Sequence, residues 1–99
     1  MVEVIIWRKE AEKILDDMIA YLENEVSLTS AQNLARAVHM ALEQLKDYPT
    51  IGRQSRVNEK VRFILVGRNR RMYYRVKGKK LIVIYLFDTR QDPNKDPYQ

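Results

Sequence analysis

Alternation between hydrophobic and polar positions divides the first part of the chain into a short strand and a helix. Residues 2–7 (VEVIIW) form a β-branched and aromatic run, which predicts a first strand. From about residue 9 the apolar side chains recur at intervals of three and four, which predicts an amphipathic helix ending near Glu25. The apolar stripe of this helix consists of Ala11, Ile14, Leu15, Met18, Tyr21 and Leu22.

A second amphipathic helix follows after a short break. Thr29 or Ser30 is the candidate N-cap, because a hydroxyl oxygen can accept a hydrogen bond from the first turn of a helix. The helix is predicted to stop at Asp47-Tyr48-Pro49, since the residue before a proline disfavours the helical conformation. Two helices so closely spaced should pack as an antiparallel hairpin. The apolar stripe of the second helix consists of Leu34, Val38, Ala41, Leu42 and Leu45.

Three further strands are predicted at residues 61–66, 70–76 and 81–87, separated by short turns. Residues 48–60, with Pro49 and Gly52 as breakers, should form a connecting loop. The last strand, LIVIYLF, is apolar on both alternations and should be the most buried. The chain is therefore predicted to be a single α+β domain over residues 1–99 with the order β-α-α-β-β-β. In this fold an antiparallel helix hairpin packs on one face of a mainly antiparallel four-stranded sheet.

The arginine-rich second half predicts one strongly basic sheet face. Successive side chains of a strand point to opposite faces, so Arg71, Tyr73 and Arg75 should point away from Met72 and Tyr74. On the preceding strand we expect Phe63 and Leu65 to share the helix-covered face with Met72 and Tyr74. The opposite face is then predicted to be open and to present Arg62, Arg71, Tyr73 and Arg75.

The charge distribution along the chain is uneven. Residues 1–50 carry five basic and nine acidic side chains, whereas residues 51–99 carry thirteen basic and four acidic ones. Such a run of charge is often no more than a solvated face. It also favours a polyanionic partner, either nucleic acid or an acidic protein segment.

Composition excludes several classes of site. The chain has no cysteine, which removes disulfides and thiolate metal sites and fits a reducing compartment. No segment resembles a signal peptide or a membrane span, so a cytoplasmic protein with no membrane partner is expected. There is no glycine-rich phosphate loop and no metal-spaced set of ligands, and no cofactor or metal is predicted.

Four motifs together resemble the RelE/ParE superfamily of toxins from bacterial type II toxin–antitoxin (plasmid stabilisation) modules. They are YPTIGR (48–53), VRFILV (61–66), RRMYYRV (70–76) and IYLFDTRQDP (84–93). The resemblance covers nearly the whole chain and implies a compact α+β toxin that is neutralised by a tightly bound cognate antitoxin. Within the superfamily, RelE-like members cut messenger RNA in the ribosomal A site, and ParE-like members poison DNA gyrase.

The resemblance also implies site residues. For a RelE-like nuclease, the family's catalytic positions fall on Arg62, Arg71 and Arg90, with Tyr98 as the aromatic near the C-terminus. The implied surface for the target or for nucleic acid consists of Arg53, Arg62, Arg71, Tyr73, Arg75 and Arg90. Nuclease members often carry a second basic residue on the first meander strand, where this chain has Ile64. The Pro-x-x-Gly-Arg loop and the Arg-Gln-Asp-Pro ending also favour ParE-like relatives.

Metal-independent RNA cleavage would need a base, an acid and cations to stabilise the phosphorane. Arginine supplies only the cation, because its guanidinium does not lose its charge. His39 lies on the polar side of the second helix and is expected at the surface. Tyr73 and Tyr98 are therefore the candidate proton-transfer groups, and nearby arginines should lower their pKa. The alternatives are that Tyr73 packs or stacks and that Tyr98 is a frayed tail residue.

The sequence thus predicts a ParE-like inhibitor of DNA gyrase. The alternatives are a RelE-like ribosome-dependent mRNA endonuclease and a non-catalytic RNA-binding domain. All three would use the same arginines.

Overall fold

Two helices and a five-stranded sheet form the two layers of the protein, in a computed structural model that describes all of residues 1–99. In chain order the elements are β1 (Val4–Trp7), α1 (Lys9–Glu25), α2 (Leu28–Asp47), β2 (Arg53–Gln54), β3 (Arg62–Val66), β4 (Arg70–Lys77) and β5 (Lys80–Asp88). A short 3₁₀ turn, Pro93–Lys95, follows in the C-terminal segment.

The sheet has the strand order β1-β5-β4-β3-β2. Strand β1 pairs in parallel with β5, and all other pairs are antiparallel. The α+β class, the helix hairpin and the three-stranded meander are therefore confirmed. The predicted number of four strands is wrong, because Arg53 and Gln54 inside the predicted loop pair with Phe63 and Arg62 as a fifth strand. Two residues are too few to produce a period-two pattern in a sequence.

Helix α1 has the predicted extent and α2 ends where predicted, but α2 begins earlier than predicted, at Leu28. The N-cap is Ser27, whose Oγ accepts a hydrogen bond from the backbone N–H of Ser30 at 3.0 Å. Thr29 and Ser30, the predicted caps, lie inside the first turn. Several hydroxyl residues stand close together here, and the sequence alone does not distinguish the one that precedes the helix. Neither helix is both long and apolar enough to cross a membrane.

The main hydrophobic core lies between the helix hairpin and one face of the sheet. Strand β5 contributes Leu81, Val83 and Leu86 to it, and β4 contributes Met72 and Tyr74. Strand β5 is extensively buried, as its apolar sequence predicts. From the helices come Ala11, Leu34, Val38, Ala41 and Leu45. The α2 stripe thus supplies most of the fully buried helix residues, and both helices pack against the sheet.

Replacing Leu45 by alanine should lower the free energy of unfolding by about 3 kcal/mol. Leu45 is fully buried in the main core, so its removal leaves a cavity as well as a loss of apolar contact. Met40→Ala on the same helix is the control, because Met40 is 63% exposed and should change stability by less than ~0.5 kcal/mol. Urea denaturation of both variants checks the prediction. Equal effects at the two positions would contradict the assignment of the buried face of α2.

Candidate functional site

A cleft lined by three arginines lies beside β3, between the segment that carries β2 and the C-terminal end of the chain. It has a volume of about 470 Å³. Its charged side chains are Arg53, Arg56 and Arg71, and Phe63 and Leu65 form part of its apolar wall. We call this site the basic cleft. Its complete lining is Ile51, Arg53, Gln54, Arg56, Phe63, Ile64, Leu65, Arg71 and Gln99.

Strand register explains why these side chains meet. Arg53 pairs with Phe63, and Phe63 pairs in turn with Tyr73 on β4. Leu65 pairs with Arg71, two residues further along β3. Directly paired residues project to the same sheet face, so these positions form one continuous surface. The Arg71 guanidinium lies 5.3 Å from the centre of the Phe63 ring, a cation–π arrangement that holds it against the wall of the cleft.

This arrangement corrects the predicted distribution of side chains between the two faces. Phe63 and Leu65 lie on the face of Tyr73 and Arg71, whereas Arg62 pairs with Tyr74 and lies on the helix-facing side. The prediction was wrong because the segment VRFILV is apolar at both alternations, so its sequence does not indicate which set faces the helices. The second face is also not open. Val61, Phe63, Tyr73, Ile84 and Phe87 form a second buried cluster on it.

The C-terminal residues 93–99, which we call the C-terminal strap, cover the middle of this second face. The side chain of Asp96 in the strap is fully buried. Its Oδ2 accepts hydrogen bonds from Arg71 Nη1 at 2.9 Å and from Tyr73 Oη at 2.6 Å. Its Oδ1 accepts from the backbone N–H of Tyr98 at 2.9 Å. The buried carboxylate is thus paired with a cation and with two further donors, as a charge in such a position requires.

Further contacts fix the end of the strap. Ser55 Oγ donates a hydrogen bond to the carbonyl of Tyr98. The backbone N–H of Arg56 donates to Gln99 Oε1 at 3.0 Å. The Tyr98 ring packs against Tyr73, with ring centres 5.0 Å apart, so Tyr98 is not a frayed tail residue. The strap thereby forms one side of the basic cleft.

The acidity of Tyr73 differs from the expectation. Burial raises its pKa well above the usual range of a phenol, and the hydrogen bond to Asp96 raises it further. Arg71 acts in the opposite direction, but its effect is the smaller one. The expected lowering of the Tyr73 pKa is therefore wrong, because the sequence showed neither the burial of this phenol nor the carboxylate beside it. Tyr73 remains a protonated donor at neutral pH.

The predicted site residues fall into three separate places. Arg53, Arg71, Tyr73 and Tyr98 meet at the basic cleft and the strap that borders it. Arg62 and Arg75 line a different hollow near Glu59 and Lys60, and Arg62 Nη1 donates to the carbonyl of Gly52 at 2.8 Å.

Arg90 lies in the third place, a groove along α1. It forms an ion pair with Asp88 at 2.8 Å, and hydrogen bonding from Arg90 holds the pKa of the Asp88 carboxyl below its usual value. His39 is exposed as expected, with 74% of its side chain accessible. No group of three or more His, Cys, Asp or Glu residues could hold a metal ion.

Two residues of the cleft region were not predicted, Arg56 and Asp96. Arg56 lies in the segment assigned to a loop, and only its basic side chain hinted at a role. Asp96 is one of only four acidic residues in the basic half of the chain, and this rarity was the signal in the sequence that could have drawn attention to it. Its contact with Arg71 spans 25 positions and depends on the path of the strap, which local patterns do not encode.

One edge of the sheet also lacks a partner beside the basic cleft. Strand β2 pairs only with Arg62 and Phe63, so residues 64–66 of β3 have an unpaired edge. Leu65 on this edge is 56% exposed. A shallow, mainly apolar groove formed with α2 runs alongside and includes Met40 and Ile64. An unpaired edge next to an apolar groove is suited to the addition of an extended segment as a further strand.

Comparisons with known proteins identify relatives of this fold. The family model described as the ParE toxin of the type II toxin–antitoxin system parDE matches residues 5–93. A solved chain from the chromosomal ParDE toxin–antitoxin system of P. aeruginosa is similar with a TM-score of 0.64 and 22% identity, over 88% of this chain and 96% of that one. The YoeB/ParE toxin from Agrobacterium tumefaciens is similar with a TM-score of 0.67 and 13% identity, over 87% and 98%. No curated protein matches the sequence.

Proposed function

Because this chain belongs to the ParE toxin family of type II toxin–antitoxin systems, we propose that it inhibits DNA gyrase in the cytoplasm and is neutralised by a cognate antitoxin. The family match extends over residues 5–93, which includes both helices and all five strands from Ile5 onward. The observation that favours inhibition over RNA cleavage is the engagement of Arg71 and Tyr73 by Asp96.

A nuclease would need proton-transfer groups and available cations at one site. Tyr73 has a raised pKa and donates a hydrogen bond to Asp96, which suits neither a general base nor a group poised near neutral pH. Arg71 is paired with Asp96, and Arg90 is paired with Asp88 in another groove. Ile64 contributes no charge to the cleft. These features support a binding protein that breaks no bond.

The antitoxin would bind where basic charge and the unpaired strand edge adjoin. An acidic, partly disordered segment could pair with the edge of β3 at Ile64 and Leu65 and fold as it binds. Its carboxylates would lie near Arg53 and Arg56, both of which are exposed in the basic cleft. Its apolar side chains would cover Leu65 and Met40. Charge complementarity would then speed association and set the register of the segment.

The proposed target is tested with purified protein. The chain should stop the supercoiling of relaxed plasmid by DNA gyrase, and adding the antitoxin encoded by the adjacent reading frame should restore it. Messenger RNA translated by purified ribosomes in the presence of the chain should remain intact, because the cleft holds no available acid–base pair. Ribosome-dependent cuts within reading frames, with gyrase unaffected, would assign the chain to the RelE-like alternative.

A further inference from the structure

We propose that Asp96 is a specificity-determining residue of the basic cleft that excludes the phosphate groups of RNA from Arg71 and Tyr73. Its carboxylate accepts the hydrogen bonds from Arg71 Nη1 and Tyr73 Oη that a phosphate oxygen would otherwise accept. The proposal goes beyond gyrase inhibition, because it concerns a ligand class that the cleft rejects. It can fail while gyrase inhibition stands, since RNA binding and supercoiling are measured separately.

The geometry around Asp96 satisfies the donors that face it. Arg71 Nη1 and Tyr73 Oη both donate to the same oxygen, at 2.9 and 2.6 Å. An anionic oxygen held by a guanidinium and a phenol is also the arrangement by which proteins bind phosphate. The strap thus supplies the anion from the chain itself. A phosphate could reach these donors only by displacing a fully buried carboxylate.

Displacement is opposed by the other contacts of the strap. Asp96 Oδ1 is held by the backbone N–H of Tyr98, and the carbonyl of Tyr98 is held by Ser55. The Tyr98 ring packs on Tyr73 and, with ring centres 6.0 Å apart, on Tyr85. Moving the carboxylate would break these contacts together. Of the three arginines of the cleft, Arg71 is ion-paired, so Arg53 and Arg56 remain as its unpaired cations. Their exposed contacts with phosphate would weaken strongly with salt.

Removing the charge of Asp96 while keeping its shape should therefore create RNA affinity. The Asp96→Asn side chain retains an oxygen for the Tyr98 N–H but no longer forms an ion pair with Arg71. The freed guanidinium lines the cleft beside Arg53 and Arg56. One recovered charge-assisted contact should raise the affinity for a short single-stranded oligouridine RNA by about tenfold at physiological salt.

Three control variants separate this effect from simple electrostatics and from altered folding. Asp92→Asn removes the same charge four residues earlier, where Asp92 caps the 3₁₀ turn through the backbone N–H of Asn94 and asparagine can do the same. It should raise RNA affinity by no more than about twofold, through the long-range field alone. Tyr73→Phe leaves the ion pair between Asp96 and Arg71 intact and should not raise RNA affinity. Adding Arg71→Gln to Asp96→Asn should abolish the gain.

Fluorescence anisotropy with labelled oligouridine measures these affinities, and thermal denaturation shows whether each variant is folded. Equal RNA affinity for Asp96→Asn and Asp92→Asn would overturn the proposal. A second test uses the unaltered chain and so does not depend on any variant folding. In NMR spectra, the same RNA should shift the guanidinium Nε–H signal of Arg53 and leave that of Arg71 in place. A shift of the Arg71 signal would show that phosphate reaches it past Asp96, and the assignment would be wrong.

Discussion

Expressed in bacteria without a partner, this chain should arrest growth, and co-expression of the protein encoded by the adjacent reading frame should restore it. Viable counts after induction should fall by orders of magnitude, because under the proposed function gyrase stays inhibited while no antitoxin is bound. Plating with and without induction measures the effect. The control carries a stop codon near the start of the adjacent frame, so that its transcript is made without its protein. High yield of the unmutated chain alone, with normal growth, would contradict the proposed function.

The same pair of proteins tests where the antitoxin binds. Reversing two charges in the basic cleft, with Arg53→Glu and Arg56→Glu, should weaken binding of the antitoxin by about tenfold or more. The matched control is Lys77→Glu with Lys80→Glu, which makes the same charge change at the exposed β4–β5 turn, beyond the far end of the sheet from the cleft. Calorimetric titration of purified proteins compares the two. If both double variants weaken antitoxin binding equally, the effect comes from net charge and not from a contact at the basic cleft.

Formal charge overstates the cations available for binding in this chain. Of the four acids in residues 51–99, Asp88 and Asp96 each form an ion pair with an arginine that the family resemblance implies as a site residue. Arg62 is also engaged, through the carbonyl of Gly52. A resemblance in sequence shows that a position holds the same type of residue as in the family. It does not show which group that residue hydrogen-bonds in this chain. The difference decides whether an arginine is free to bind a ligand or fixes the fold.

The fold was largely predictable from the sequence because its signals are local. The stripe of α2, with Leu34, Val38 and Leu45, has the period of a helix over several turns, and the end of α2 at Asp47 follows from Pro49. The turns at Gly67 and Gly78, both with positive φ, separate the strands of the meander. Such features depend on neighbours a few positions away, which a single sequence contains.

The candidate site was only partly predictable because its contacts are distant in sequence. Placing Phe63 on the face of Tyr73 required the register between β3 and β4, which the apolar run around Phe63 leaves open. Joining Asp96 to Arg71 required the path of the strap across the sheet. The identity of the basic residues could be read from the sequence. Their separation into three places, and the pairing of two of them with acids, could not.

The Pro-x-x-Gly-Arg motif, residues 49–53, has a structural role that centres on Gly52 and Tyr74. Tyr74 Oη donates a hydrogen bond to the carbonyl of Pro49 at 2.7 Å and accepts one from the backbone N–H of Gly52 at 3.1 Å. A Cβ atom at position 52 would lie 2.5 Å from Tyr74 Oη and 2.9 Å from the carbonyl oxygen of Phe63. Only glycine therefore fits between the buried tyrosine and strand β3.

Gly52→Ala should consequently be among the most destabilising single changes in the chain. Forced overpacking costs about 1–3 kcal/mol, and loss of the two hydrogen bonds of the Tyr74 hydroxyl would bring the total to about 5 kcal/mol. Such a loss is comparable with the whole stability of a small domain, so much of the protein should be unfolded. Urea denaturation and circular dichroism measure the effect. The control is Gly67→Ala, where a Cβ meets nothing within 4 Å and only the positive φ of 66° opposes the change, at about 1–2 kcal/mol.

A double variant distinguishes this close contact from a general disturbance of the loop. Tyr74→Phe alone removes the hydroxyl and leaves the Gly52 N–H and the Pro49 carbonyl without a partner, at a cost of about 1–3 kcal/mol. In Gly52→Ala with Tyr74→Phe, the shortest contact is relieved, while the carbonyl of Phe63 and the ring edge of Tyr74 stay at 2.9 Å. The double variant should therefore be less destabilised than the sum of the single ones, by about 1 kcal/mol or more. If the losses of stability in the two single variants simply add in the double variant, the alanine methyl does not clash with the Tyr74 hydroxyl. The requirement for glycine at position 52 would then have another cause.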